Sequence, residues 1–190
     1  LAGGRRQQVF LMTKHHGRDK KTAMRHLEDS LRRLDTEVID LWQFHEVIYE
    51  DDPDRIFGPE GGIEAAELAK RQGKVRFIGF TGHKDPAIFA RMLAHDYPWD
   101  AVQMPVNVLD AHFRSFQRQI LPLLTERDIG AIAMKSLAGG HLLRTGEVTP
   151  AEALTYTWSQ PVATVVSGMP SSRELNANAK LAARFRPLSP

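Results

Sequence analysis

The chain has 190 residues, 42% apolar and 25% charged, a balance that fits one globular domain over 1–190 with a sizeable core. It contains no cysteine, which excludes disulfides, thiolate catalysis and Cys-based zinc sites and accords with a reducing, cytoplasmic setting. The net charge is only +2 and no apolar run approaches bilayer-spanning length, so neither nucleic acid nor membrane is an expected partner. Residues 1–8 lack the charged and apolar regions of a secretory signal.

Val9-Phe10-Leu11-Met12-Thr13 reads as a buried strand closing on Lys14. Residues 20–34 follow as a helix with Ala23, Leu27, Leu31 and Leu34 on one stripe. Arg18, Lys20, Lys21, Arg25, Arg32 and Arg33 crowd this region. A polyanion contact is one reading of them, and the solvated face of an amphipathic helix is the simpler one. Val38 to Phe44 is a second strand, ending at His45, with Trp42 expected near the same mouth. Paired acids, Pro53, Pro59 and Gly61-Gly62 make 46–62 a long, mobile loop with one turn of helix.

A helix over 63–72 is closed by Gly73, and Val75 to Thr81 is the third strand. Asp85-Pro86 supplies an N-cap and a first-turn proline for a helix running to Ala94. Ala101 to Met104 is strand four, 112–127 a helix, and Ile129 to Met134 strand five. Thr149-Pro150 opens a helix through Trp158, and Val162 to Ser167 is strand six. Ser171 or Ser172 caps a last helix through Ala183. Continuous apolar strands alternating with helices argue for a parallel α/β sheet. Six units fall short of the eight of a full barrel, and an open doubly wound sheet fits the alternation equally well.

In parallel α/β folds the C-terminal ends of strands face the active-site mouth, so Lys14 and His45 are candidates for chemistry. Lys14 can lower a neighbour's pKa, bind an anion or act as a Schiff-base nucleophile, or it is a surface lysine at a junction. A histidine closing Leu41-Trp42-Gln43-Phe44 needs a partner or a task. His15-His16 are adjacent rather than spaced like helical metal-ligand pairs, so no metal site is expected. His83 follows strand three and would face the same mouth. Ala138-Gly139-Gly140 after strand five and Gly168 after strand six suit close approach of a phosphate. No GxGxxG or GxxxxGK[ST] run occurs, which argues against Rossmann and P-loop cofactor binding.

Taken in order, several segments resemble the aldo-keto reductase family, roughly from Val9 to Ala183. They are Thr13-Lys14, then Ser30-Leu31 and Leu34, then Asp40-Leu41 with His45 five residues after the Asp. Gly73-Lys74-Val75-Arg76-Phe77-Ile78-Gly79, Gln103, Lys135-Ser136-Leu137 with Gly139-Gly140, and Gly168 with Asn178 complete the set. The resemblance implies an incomplete (β/α)8 TIM barrel of about six units, the third to the eighth. It implies hydride transfer from NADP(H), or NAD(H), to a small aldehyde or ketone.

By the same resemblance Lys14 tunes a Tyr acid and His45 orients the carbonyl. Thr81, Gly82 and Gln103 approach the carboxamide. Met134, Lys135, Ser136 and Leu137 lie along the nicotinamide ribose and pyrophosphate beside Gly139, while Gly168 and Asn178 reach the adenosine. The family's Asp and Tyr, a few dozen residues before the Lys, have no counterpart in the thirteen residues preceding Lys14, so a truncated barrel is expected. Gly82 stands where the family commonly has Asn or Arg, Met134 replaces a frequent aromatic, and Glu174 replaces an Arg of some NADPH-specific members. Tyr49, Tyr97 and Tyr156 are not expected to replace the acid. Open sheet edges predict pairing into a homo-oligomer. The alternative is a catalytically inactive nucleotide-binding or interaction module on the same scaffold.

Overall fold

The computed structural model describes residues 3–188. Six strands form one sheet hydrogen-bonded in chain order: β1 (Met12–His15), β2 (Ile39–Phe44), β3 (Val75–Thr81), β4 (Ala101–Pro105), β5 (Gly130–Met134) and β6 (Thr164–Val166). The β1–β2, β2–β3 and β5–β6 pairings are parallel. A doubly wound sheet reverses direction at a switch point. This order has none, and helices join the successive strands, which makes the chain a run of (β/α)8-barrel units. The chain divides into two compact units, Leu1–Val102 and Gln103–Pro190.

In the first unit α1 (Lys20–Leu34) starts where the Asp19 carboxylate accepts from Thr22 N, and it buries Ala23, Leu27 and Leu31. α2 (Asp52–Phe57) and α3 (Gly62–Arg71) follow β2, and α4 (Pro86–Ala94) follows β3 with Asp85 accepting from Ala87 N. One face of the sheet carries Trp42, Phe44, Ile78 and Phe80 into this helical layer, where Phe80 packs against Phe89 and Trp99, each at 4.8 Å between ring centroids. Lys21, Arg25, Arg32 and Arg33 are exposed on α1 and Lys20 partly so, whereas Arg18 lies before the helix and is only 7% exposed.

Strand β1 begins three residues later than expected and runs one past Lys14. Its ladder pairs Met12 with Leu41, leaving Val9 and Phe10 upstream at 44% and 58% exposure. The start of β2 is held by Asp40, whose buried carboxylate pairs with Arg6 at 2.9 Å and Arg76 at 2.6 Å and accepts from Leu11 N at 2.7 Å. One acid thereby ties down the entry to β1 and the entry to β3.

In the second unit the helix expected over 112–127 is two short ones, α5 (Phe116–Gln119) and α6 (Leu121–Glu126). Asp110 gathers the amides of Phe116 and Gln117 into a turn, and Pro122, lacking an N–H, restarts the helix. A 3-10 turn, Ala138–Gly140, and α7 (His141–Arg144) fill the segment after β5. α8 (Pro150–Trp158) opens on a Thr149/Glu152 capping box. β6 is shorter than expected, and α9 (Ser172–Ala182), capped by Ser171, buries no residue.

Candidate active site

The register of β1, β2 and β3 aligns Lys14 with Gln43 and Gln43 with Gly79. Side chains alternate along strands, so these three positions share one face and His15, Trp42 and Phe44 share the other. Lys14 is the penultimate residue of β1, and His45 follows the last residue of β2, its amide donating to His15 O at 2.7 Å. Both lie at the C-terminal ends of adjacent parallel strands. Trp42, expected at the mouth, is fully buried on the opposite face and stacks on His15 at 3.8 Å.

Lys14 is partly buried, and loss of hydration lowers its pKa below the ordinary 10.5. Burial and then the neighbouring His16 hold the His45 imidazole below its ordinary 6.5, with Lys14 contributing in the same direction. His45 Nδ1 lies 3.1 Å from His16 Nε2, so one of the two rings donates and the other accepts. Lys14 and His16 also line a cleft of about 450 Å³ with Ser30 and Arg33 of α1.

The chain beyond His45 is tied down by side-chain hydrogen bonds. Asp52, almost fully buried, accepts from Arg18 Nε at 2.6 Å, Ile48 N at 2.8 Å and Tyr49 N at 3.0 Å. Arg18 Nη2 donates in turn to the carbonyls of His45 at 2.8 Å and Glu46 at 2.9 Å. Burial raises the Asp52 pKa, but Arg18 and the two amides outweigh it and hold the carboxyl below its ordinary value. Val47 N donates to Thr81 O at 2.8 Å, laying this strap across the end of β3.

Thr81 and Gly82 are buried beneath the strap. A Cβ on Gly82 would lie 2.4 Å from Val47 O and 2.8 Å from Phe89, so this glycine is required for packing. Beside them, His83 Nε2 is 3.5 Å from Glu46 Oε1. None of the three tyrosines is poised as an acid. Tyr49 is exposed beneath Lys84, Tyr97 donates to Glu67 at 2.5 Å with its pKa raised by burial and that carboxylate, and Tyr156 donates to Gln117.

In the second unit the structure brings Gln103, Met134 and Lys135 together. Gln103 Nε2 donates to Met134 Sδ at 3.6 Å, Val106 N to Met134 O at 3.1 Å, and Asn107 Nδ2 to Lys135 O at 3.1 Å. Lys135, Ala138, Gly139 and Gly140 all have positive φ, folding the segment after β5 into a tight turn around buried Ser136 and part-buried Leu137. Such turns aim successive backbone N–H groups into concavities that suit anions. No atom stands within 4 Å of a Cβ built on Gly140 or Gly168, so the backbone is open to approach at both. Asn178 Nδ2 donates to Ser167 Oγ at 3.3 Å. The first turn of α9 is occupied by its own residues, Ser171 Oγ donating to the Glu174 carboxylate at 2.6 Å. An exposed Lys135 ammonium, an open left-handed turn and an amide at Asn178 are a donor set that fits the anionic chain of a dinucleotide.

Sequence points to none of Glu46, Asp52 and Asn107, and it offers His16 only as half of an adjacent pair unsuited to a metal and Arg18 only as one of a run of charges. The spacing of His16, two residues after Lys14, was the available signal, since alternate positions share a face.

The aldo/keto reductase family model matches residues 1–186. The chain belongs to the aldo/keto reductase family. It is 29% identical over 158 residues to the uncharacterized oxidoreductase YcsN of Bacillus subtilis (strain 168), covering 75% of this chain and 50% of that protein. It is 28% identical over 158 residues to the aldo-keto reductase YhdN of the same organism, covering 77% and 43%. The holo form of aldo-keto reductase AKR11C1 from Bacillus halodurans superposes with a TM-score of 0.79 at 27% identity, over 98% of this chain and 70% of that one. The chain spans about half the length of the curated aldo/keto reductase relatives it matches.

Proposed function

We propose that the protein carrying this chain is an NADP(H)-dependent carbonyl reductase, residues 1–190 being part of one barrel domain. The observation behind the reading is the placement of Lys14 and His45 at the C-terminal ends of adjacent parallel strands in a chain of this family. The cofactor, when bound, supplies the hydride. Lys14, stripped of part of its hydration, exerts its field on the Tyr hydroxyl that protonates the carbonyl oxygen. The reading assigns that Tyr and its partner Asp to the part of the relatives' length that this chain does not span.

His45 orients the carbonyl by donating from Nε2. A neutral imidazole does so only if Nδ1 accepts, which makes His16 Nε2 the donor in their 3.1 Å contact and His16 a positioning residue. Thr81 and Gly82, buried beneath the strap, shape the carboxamide end from behind. Gln103 and Met134 lie by the carboxamide and nicotinamide, Lys135, Ser136, Leu137 and Gly139 along the pyrophosphate, and Gly168 and Asn178 at the adenosine. Glu174 in the first turn of α9 disfavours a 2′-phosphate there, so NAD(H) is the competing cofactor. The substrate is a small aldehyde or ketone, the setting the cytoplasm, and the assembly a homo-oligomer.

The test is titration of the full-length protein with NADPH and NADH beside a carbonyl-reduction assay. Lys14→Met should lower kcat/KM by about 10²- to 10⁴-fold while leaving cofactor affinity within a few-fold. Wild-type turnover by Lys14→Met, or a folded protein that binds neither cofactor, would overturn the reading.

A further inference from the structure

We propose that His16, His45 and Glu46 form a capture site for a divalent transition-metal cation, zinc in the first place. One ligand atom from each of the three lies within 4.8 Å of the others. His45 Nδ1 and His16 Nε2 already face each other at 3.1 Å. Two imidazole nitrogens bound to one tetrahedral zinc sit about 3.3 Å apart, from Zn–N bonds near ~2.0 Å. The pair therefore needs to open by only a few tenths of an ångström, with the proton between the rings exchanging through solvent to the far nitrogen of its own imidazole, so that both rings ligate as neutral imidazoles.

The surroundings hold these donors in place. Arg18 Nη2 clamps the carbonyls of both His45 and Glu46, and Asp52 fixes Arg18. Glu46 has φ +51, a left-handed conformation that a side chain rarely adopts, so its direction is imposed by the strap. Its carboxylate also lies 3.5 Å from His83, which supplies the outer hydrogen bond that commonly orients a ligating carboxylate. Two imidazoles and one carboxylate are a zinc-type set with a fourth position left for water. Imidazole donors favour zinc, copper and nickel over magnesium or calcium.

Zinc at this position withdraws His45 Nδ1 from His16 and sets a cation beside the ring that would orient the carbonyl. Loading should therefore block reduction. That consequence rests on the carbonyl-reductase reading, whereas the binding does not.

The experiment is isothermal titration of the metal-free full-length protein with zinc, with bound cobalt's visible absorption reporting the ligand geometry. One equivalent should bind. His16→Ala and Glu46→Gln should each weaken it by more than about tenfold, since even outer partners cost that much. His26→Ala, outside the trio, should leave it unchanged. No uptake, or uptake indifferent to His16→Ala, would overturn the site. Zinc should also inhibit the wild type more strongly than it inhibits His16→Ala, each measured against its own metal-free rate. Binding without inhibition would overturn the blockade. NADPH titration of the same sample tests the reductase reading separately.

Discussion

Replacing Asp52 should do more damage than its place at the first residue of a short helix suggests. The carboxylate is almost wholly buried and serves three donors, the Arg18 guanidinium and the amides of Ile48 and Tyr49. Asp52→Ala leaves the guanidinium, itself only 7% exposed, without a counter-ion. Breaking a buried pair from one side costs about 3–5 kcal/mol. Asp52→Asn keeps an acceptor for the amides and should cost less, about 1–3 kcal/mol. Urea denaturation reads both as a shift of midpoint at constant m. A loss under about 1 kcal/mol for Asp52→Ala at unchanged m would refute the argument.

The pH dependence gives a second handle on the same pair. Burial raises the Asp52 pKa, but Arg18 and the amides more than offset it, so the folded value lies below 3.8. The stabilisation is complete above the ordinary value and is lost as pH falls through the folded one. Wild type should lose stability below about pH 4 more steeply than Asp52→Asn.

Two further outcomes follow from packing and burial. Gly82→Ala places a methyl 2.4 Å from Val47 O, against backbone, and should cost about 1–3 kcal/mol in thermal or urea unfolding. Gly168→Ala meets open space and should stay within about 0.5 kcal/mol of wild type; equal effects would refute the contrast. His15 is buried with neither ring nitrogen hydrogen-bonded among the described residues, and burial followed by the Arg18 charge holds its pKa well below 6.5. Only the unfolded chain takes up that proton, so stability is full above 6.5 and falls below it by up to about 1.4 kcal/mol per pH unit. His15→Phe, which keeps a ring on Trp42, should flatten this slope, and an unchanged slope would refute the assignment.

What the sequence disclosed was local. Asp85-Pro86, Thr149-Pro150 and Ser171 announce helix starts because a capping side chain bonds an amide two or three residues on. The third strand is legible end to end because Val75, Phe77, Ile78, Phe80 and Thr81, β-branched or aromatic, fill it between the helix stop at Gly73 and the helix start at Asp85-Pro86. Val9 and Phe10 look like strand too, but strand is defined by a ladder, and the ladder begins at Met12. The long helix over 112–127 fails for a local reason that was visible, Pro122, joined to one that was not, the Asp110 turn. The contacts around His45 were beyond reach of any window. His16 lies 29 residues from it, and Arg18 lies 34 from Asp52. Arg18 also sits in a run of charges that are otherwise solvated, so composition pointed away from its burial.

Asp40 and His45 bound opposite ends of a single strand, five residues and about 16 Å apart. That exceeds the screening length in physiological salt, about 8 Å, and the distance beyond which substitutions usually combine additively. Saturation libraries at the exposed positions around His83 and Lys84 can therefore be combined with stabilising changes near Arg6 and Arg76 without rescreening each pair. For laboratory evolution, the two ends of this strand are separate dials.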